Sequence, residues 1–176
     1  MLYTGKGDDG TTSTFGCNQR LSKSSAIAEA LGTLDEINSF LGAIKTHKSS
    51  KPSLIEMIDN VQHNLFIIQA EVAGSDKHIT EEKVRELEAI INGIEKELPP
   101  IKSFFVSGGT PLAALLDFSR TLARRAERRV VEVHDEKLRE VHKNTLAYLN
   151  RLSSLLYALA RITNHKAGIT EQAPHY

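Results

Sequence analysis

Ile27-Ala-Glu-Ala-Leu31-Gly-Thr-Leu34-Asp-Glu-Ile37-Asn-Ser-Phe-Leu41-Gly-Ala-Ile44 sets its large aliphatic residues three and four positions apart. That interval winds them onto one face of an α-helix, whereas a strand needs alternation by two. Outward from this stretch the same period continues. Leu54, Ile58, Val61, Leu65, Ile68 and Val72 make a second stripe, and Val84, Leu87, Ile91, Ile94 and Leu98 a third. Leu112, Leu115, Leu122, Val130 and Val133 fit a fourth. Leu138, Val141, Leu149, Leu152, Leu156, Leu159 and Ile162 fit a fifth, which reads as unusually long. Pro52 and Pro111 suit the first turns of helices two and four, where a missing N–H costs nothing. Thr110 is an N-cap for helix four, and Thr80 for helix three ahead of Glu81 and Glu82. Pro99-Pro100 closes helix three, and Gly168 follows helix five. The expected fold is all-α: a five-helix bundle of the ferritin-like, up-and-down four-helix type. It forms one domain over residues 1–176, irregular only at 1–23 and 99–110.

The chain has 176 residues, 40% apolar and 25% charged, enough for one real core. Its 22 basic and 22 acidic side chains cancel, so no global field draws it to nucleic acid or an anionic membrane. One cysteine, Cys17, excludes an intrachain disulfide and a thiolate-rich zinc site. The N-terminal residues lack the apolar run of a signal peptide, and no stretch is long and apolar enough to span a bilayer. The expected location is the cytoplasm.

Chemistry concentrates in three places. Thr4-Gly-Lys-Gly-Asp-Asp-Gly-Thr-Thr12 satisfies G-x-G-x-x-G, but only three residues precede it and no βαβ pattern follows. Lys6 lies between the glycines, so it is no Walker A loop either. A flexible loop remains, able to wrap phosphate with its N–H groups, Lys6 and hydroxyls, or else a frayed terminus. Lys23 stands just beyond it. On helix four, Arg120, Arg124 and Arg128 repeat at i, i+4, an arrangement that destabilises a helix by a few tenths of a kcal/mol per pair. A polyphosphate or buried carboxylates would compensate; a solvated face partnered by Glu127 and Glu132 is the alternative. On helix five, Asn150, Ser153 and Ser154 interrupt an apolar segment, either to fix helix register or to read a base edge. None of the seven histidines follows a glutamate by three residues, so the di-iron bundle signature is missing. No side-chain cluster marks a metal site.

Taken together these segments resemble the PduO-type ATP:cob(I)alamin adenosyltransferases. The resemblance joins Tyr3 to Thr12, Gly32-Thr-Leu-Asp35-Glu-Ile-Asn38, Phe104-Phe-Val-Ser-Gly108-Gly109, Arg120 to Glu127-Arg128, and Asn150-Arg151-Leu-Ser153. It implies a homotrimer with an active site at each subunit interface. By resemblance, Thr4, Gly5, Lys6, Gly7, Asp8, Gly10, Thr11 and Thr12, with Lys23, wrap the ATP. Arg124, Glu127, Arg128 and Asn150 come from the neighbouring subunit, and Arg120 pairs with Asp35 across the interface. Phe104 matches the aromatic that packs on the lower face of the corrin. Arg124 and Phe104 are the residues expected to carry catalysis, and Mg²⁺ is expected with ATP. A reductase supplies electrons to cobalt.

Two positions depart from that family's pattern. Ser107 stands where proline is usual and Ser154 where aspartate is usual. They keep one rival open, an ATP-binding regulator or degenerate member without transfer activity; a purely structural helical interaction module with solvated arginines is a second rival.

Overall fold

The computed structural model describes residues 2–14 and 20–175. Cys17 lies outside them. Five helices follow a short hairpin. The hairpin pairs β1, Thr11–Ser13, antiparallel with β2, Arg20–Ser22, with Thr12 opposite Leu21. The helices are α1, Ala26–Lys45; α2, Pro52–Val72; α3, Glu81–Glu95; α4, Pro111–Asp135; and α5, Lys143–Lys166. The sequence showed the hairpin region only as irregular, because three-residue strands are too short to display a period.

Each helix begins where local chemistry allows. The Ser25 and Thr110 hydroxyls accept the N–H groups of Ala28 and Ala113, satisfying donors that a helix start leaves free. Pro52 and Pro111 sit in first turns as expected. Thr80 occupies the N-cap position of α3 without a side-chain bond. Gly168 follows α5 with φ +71°, the left-handed value that ends a helix. The expected exceptional length of helix five is not found: α4 has 25 residues and α5 has 24. Leu138 and Val141, read as part of that stripe, lie in the connection before α5. Val141 is buried there and Leu138 is 40% exposed.

α4 packs against α5 and α1, α1 against α2, and α3 against α5. Two buried polar bonds join α2 to α5: Asn64 Nδ2 donates to Tyr148 Oη at 3.0 Å, and Thr145 Oγ1 to Glu71 Oε2 at 2.5 Å. The core between them holds Leu34, Ile37, Leu41, Leu65, Ile68, Leu116, Leu149 and Leu152, all essentially without solvent contact. Burying each such side chain contributes roughly 1.5–3 kcal/mol, which makes the bundle a stiff frame for the loops it carries. No helix of the described residues is long and apolar enough to cross a membrane.

Candidate functional site

The N-terminal loop folds on itself around three charged groups. Successive turns place Asp8 N on Gly5 O and Gly10 N on Gly7 O, each at 3.2 Å. Gly10, at φ +79°, makes the reversal into β1 with a backbone conformation that side chains disfavour. The Asp9 carboxylate accepts both the N–H and the hydroxyl of Thr11, at 2.9 and 2.6 Å. Those hydrogen bonds hold its carboxyl below the ordinary value. Lys23 Nζ turns onto Gly7 O at 2.8 Å. Thr4, Lys6 and Asp8 are exposed, so the loop presents two lysines and several hydroxyls to solvent.

Sequence reasoning missed Arg20. It donates to Thr11 Oγ1 at 2.5 Å, to Thr11 O at 3.0 Å and to Lys6 O, and so staples the hairpin shut. A lone arginine in an irregular stretch carries no pattern that would have marked it.

On the bundle, the arginine run divides its work. Arg125 pairs with Glu36, and Arg129 with Glu29 and Glu132, which ties α4 to α1. Arg120 Nε donates to Asp117 Oδ1 at 2.6 Å within α4, a partner at i−3 that helix spacing could have revealed. Arg124 and Arg128 enter no ion pair among the described residues, and both are exposed. Arg128 instead donates to the Arg124 carbonyl at 3.1 Å. Glu127 takes no arginine; its Oε1 accepts Asn150 Nδ2 at 3.0 Å. Asn150 is exposed, so it is no buried register residue.

A cavity of roughly 540 Å³ opens beside this face, bounded by Phe104, Phe105, Arg120, Arg124, Ser154 and Tyr157. Phe104 is 83% exposed, whereas Phe105 is half-buried, so Phe105 and not Phe104 does the packing. Tyr157 lies under the Arg120 guanidinium at 5.9 Å, and burial raises its phenol above the ordinary value. Ser154 stands exposed on the wall shared with Arg124. Asp35 is exposed on α1.

The structure thus brings together Arg120, Arg124 and Phe104 at one cavity, and Glu127 with Asn150 next to Arg128. No hydrogen bond among the described residues links either group to the Lys6–Lys23 loop or joins Arg120 to Asp35. The described residues contain no group of three His, Cys, Asp or Glu side chains able to hold a metal ion.

The family model described as cobalamin adenosyltransferase matches residues 2–163. A corrinoid adenosyltransferase from Bacillus subtilis (strain 168) is 40% identical over 175 residues, 96% of this chain and 89% of that protein. The corrinoid adenosyltransferase PduO of Citrobacter freundii is 41% identical over 94% of this chain, which spans only 50% of that longer protein. Among solved structures, a variant of the PduO-type ATP:corrinoid adenosyltransferase from Lactobacillus reuteri complexed with cobalamin and ATP superimposes with a TM-score of 0.92. It shares 31% identity, covering 99% of this chain and 97% of that one.

Proposed function

The chain belongs to the cobalamin adenosyltransferase family, and on that premise we propose that it transfers the 5′-deoxyadenosyl group of ATP to Co(I) of reduced cobalamin, giving adenosylcobalamin and triphosphate. The observation that carries this reading is one cavity shared by Arg124, a guanidinium without an ion-pair partner among the described residues, and Phe104, an exposed aromatic ring. The first suits phosphate and the second an apolar macrocycle.

In the reaction the cobalt electron pair attacks the 5′ carbon, the carbon–oxygen bond breaks, and triphosphate leaves with its electrons. No proton moves at the reacting carbon, so no general base is required. The leaving group carries several negative charges, which Lys6, Lys23, Arg124 and Arg128 neutralise with loop N–H groups from Thr4 to Thr12. Mg²⁺ would be held by triphosphate oxygens rather than by side chains of the described residues, and would supply further neutralisation of the leaving group. Glu127 accepts from the Asn150 amide nitrogen at 3.0 Å and Arg151 Nη1 donates to its carbonyl oxygen at 2.7 Å, so the Asn150 side chain is held at both ends beside Arg124 and Arg128, where the adenosine moiety is proposed to lie. Phe104 covers the lower corrin face, excludes an axial ligand and so eases reduction of Co(II). Aligning cobalt with the 5′ carbon supplies much of the remaining rate.

The two halves of the phosphate site unite in a homotrimer, with the loop of one subunit facing Arg124, Arg128 and Asn150 of the next. Exposed Asp35 and an apolar Phe118, 53% exposed and edge-to-face with Phe40, supply a surface for that contact. A reductase feeds the cobalt, and the enzyme works in the cytoplasm.

The experiment mixes ATP with chemically generated Co(I)-cobalamin without oxygen and follows the cobalamin spectrum. Adenosylcobalamin forming at a rate proportional to enzyme supports the proposal. ATP-dependent stabilisation without product would identify a nucleotide-binding regulator, and neither effect an interaction module.

A further inference from the structure

Arg161 is a cation in the apolar part of α5, only 5% exposed. A charge so far from water requires a partner, and it finds one in the C-terminal segment. Arg161 Nε reaches both oxygens of Glu171 at 3.0 Å, and Nη2 reaches Oε2 at 2.9 Å. The same Nη2 donates to Pro99 O at 3.2 Å, and the guanidinium lies over the Phe105 ring at 5.2 Å. One side chain therefore touches both ends of the span between Pro99 and Phe105.

The segment after α5 adds its own tie. Val106 N donates to Gln172 O at 2.8 Å, a bond made one residue beyond Phe105. Asn164 closes the far end of the loop, donating to Gly108 O at 2.8 Å and accepting Thr110 N at 2.9 Å. Phe104 itself packs on little, since it is 83% exposed. Its place is set by its neighbours, because adjacent Cα atoms are held 3.8 Å apart. An ion pair as buried as Arg161–Glu171 adds little net stability over an apolar replacement. What it adds here is geometry.

We propose that Arg161 and Glu171 are positioning residues: their ion pair clamps the C-terminal segment onto the 99–110 loop and fixes Phe104 against the corrin. The proposal rests on the adenosyl-transfer reading for its kinetic consequence, though the clamp itself is a property of the free protein. Arg161 acts through Pro99 and Phe105, and Glu171 through Arg161. Neither touches the reacting atoms.

The test uses the full chain with Glu171→Gln, which keeps the shape and removes the charge, and Arg161→Met, which fills the site with an apolar side chain. Amide hydrogen exchange is read at residues 103–106 without any ligand, with α1 and α2 as internal controls. Local exchange is expected to accelerate by about tenfold in either variant while the control helices stay as protected as in the parent. Turnover starting from Co(II) and a reductant is expected to fall by about tenfold, turnover from preformed Co(I) by no more than about threefold, and KM for ATP to stay within about twofold. Parent-like exchange at 103–106 in both variants would overturn the clamp. Equal losses from Co(II) and Co(I), or loosened control helices accompanying the loss, would reduce the pair to a stabilising role and overturn positioning. A parent protein that forms no adenosylcobalamin would instead sink the transfer reading, and the exchange measurement would still decide whether the clamp exists.

Discussion

Glu127 and Asn150, on neighbouring helices, are joined by a 3.0 Å hydrogen bond from the Asn150 amide to the Glu127 carboxylate. The bond crosses from α4 to α5 at the surface, beside two arginines that enter no ion pair among the described residues. Arg151 Nη1 donates to the Asn150 carbonyl oxygen at 2.7 Å, so both ends of the amide are held. A carboxylate used in this way orients a neighbour and pairs with neither Arg124 nor Arg128.

Arg124→Ala or Lys23→Ala is expected to impair ATP use and spare corrinoid binding. Losing one charge-assisted phosphate contact removes about 1.5–3 kcal/mol, or roughly 10- to 150-fold in kcat/KM for ATP. Steady-state kinetics with each substrate varied checks this. Unchanged ATP kinetics with collapsed cobalamin affinity would reassign that region to the corrin.

Phe104→Ala is expected to slow reduction of bound Co(II) sharply while preformed Co(I) is still adenosylated near the normal rate. With the ring 83% exposed, its removal leaves no core cavity, so the melting temperature should hold. The pair of rates, taken with a thermal melt, separates a corrin role from a packing role.

Asp35→Asn is expected to weaken the proposed trimer and leave the folded subunit intact, because Asp35 is exposed in the single chain. Arg120→Ala is expected to do more harm, since it also strips Asp117, 8% exposed, of its 2.6 Å partner. Leaving such a carboxylate unpaired costs on the order of 3 kcal/mol. Sedimentation at several concentrations and denaturant unfolding distinguish the two effects. Equal outcomes for both variants would refute this division of roles.

Tyr148 makes the fold sensitive to alkali. Burial pushes its phenol from 10.0 up to about 12, so the folded state holds the proton more tightly than the unfolded chain does. The corresponding stability is fully present below pH 10 and is lost as pH rises through 12. The span amounts to roughly 2–3 kcal/mol. Tyr148→Phe removes that loss but also the bond to Asn64, whose Oδ1 has no partner of its own. The variant is expected to be less stable by ~1–2 kcal/mol at neutral pH, with the gap closing in alkali. Urea unfolding across that range reads the closure; a constant gap would contradict it.

Gly109→Ala is expected to disturb the loop that carries Phe104. Its φ is +97°, and an added Cβ would lie 2.3 Å from Asn164 Oδ1, the atom that accepts Thr110 N. A loss of about 1–3 kcal/mol follows, visible as a fall of several degrees in melting temperature. A parent-like melt would mean that Asn164 moves aside freely.

The sequence by itself determined the helical class and the number of helices. Apolar spacing is a local property: residues three or four apart share a helix face wherever that helix lies, so Leu34, Ile37 and Leu41 declared their burial in advance. The caps at Thr110 and Gly168 were legible for the same reason. Helix five was read as too long because Val141 is buried from a connecting segment, and burial alone does not distinguish a loop residue from a helical one. The partners were what only the tertiary structure decided. Glu127 could have served an arginine, and the choice of Asn150 depends on how α4 meets α5. Arg161 stood in the sequence as one more arginine. Its partner Glu171 lies beyond the end of α5, and a buried charge acquires its meaning from whichever group the folded chain brings within 3 Å of it.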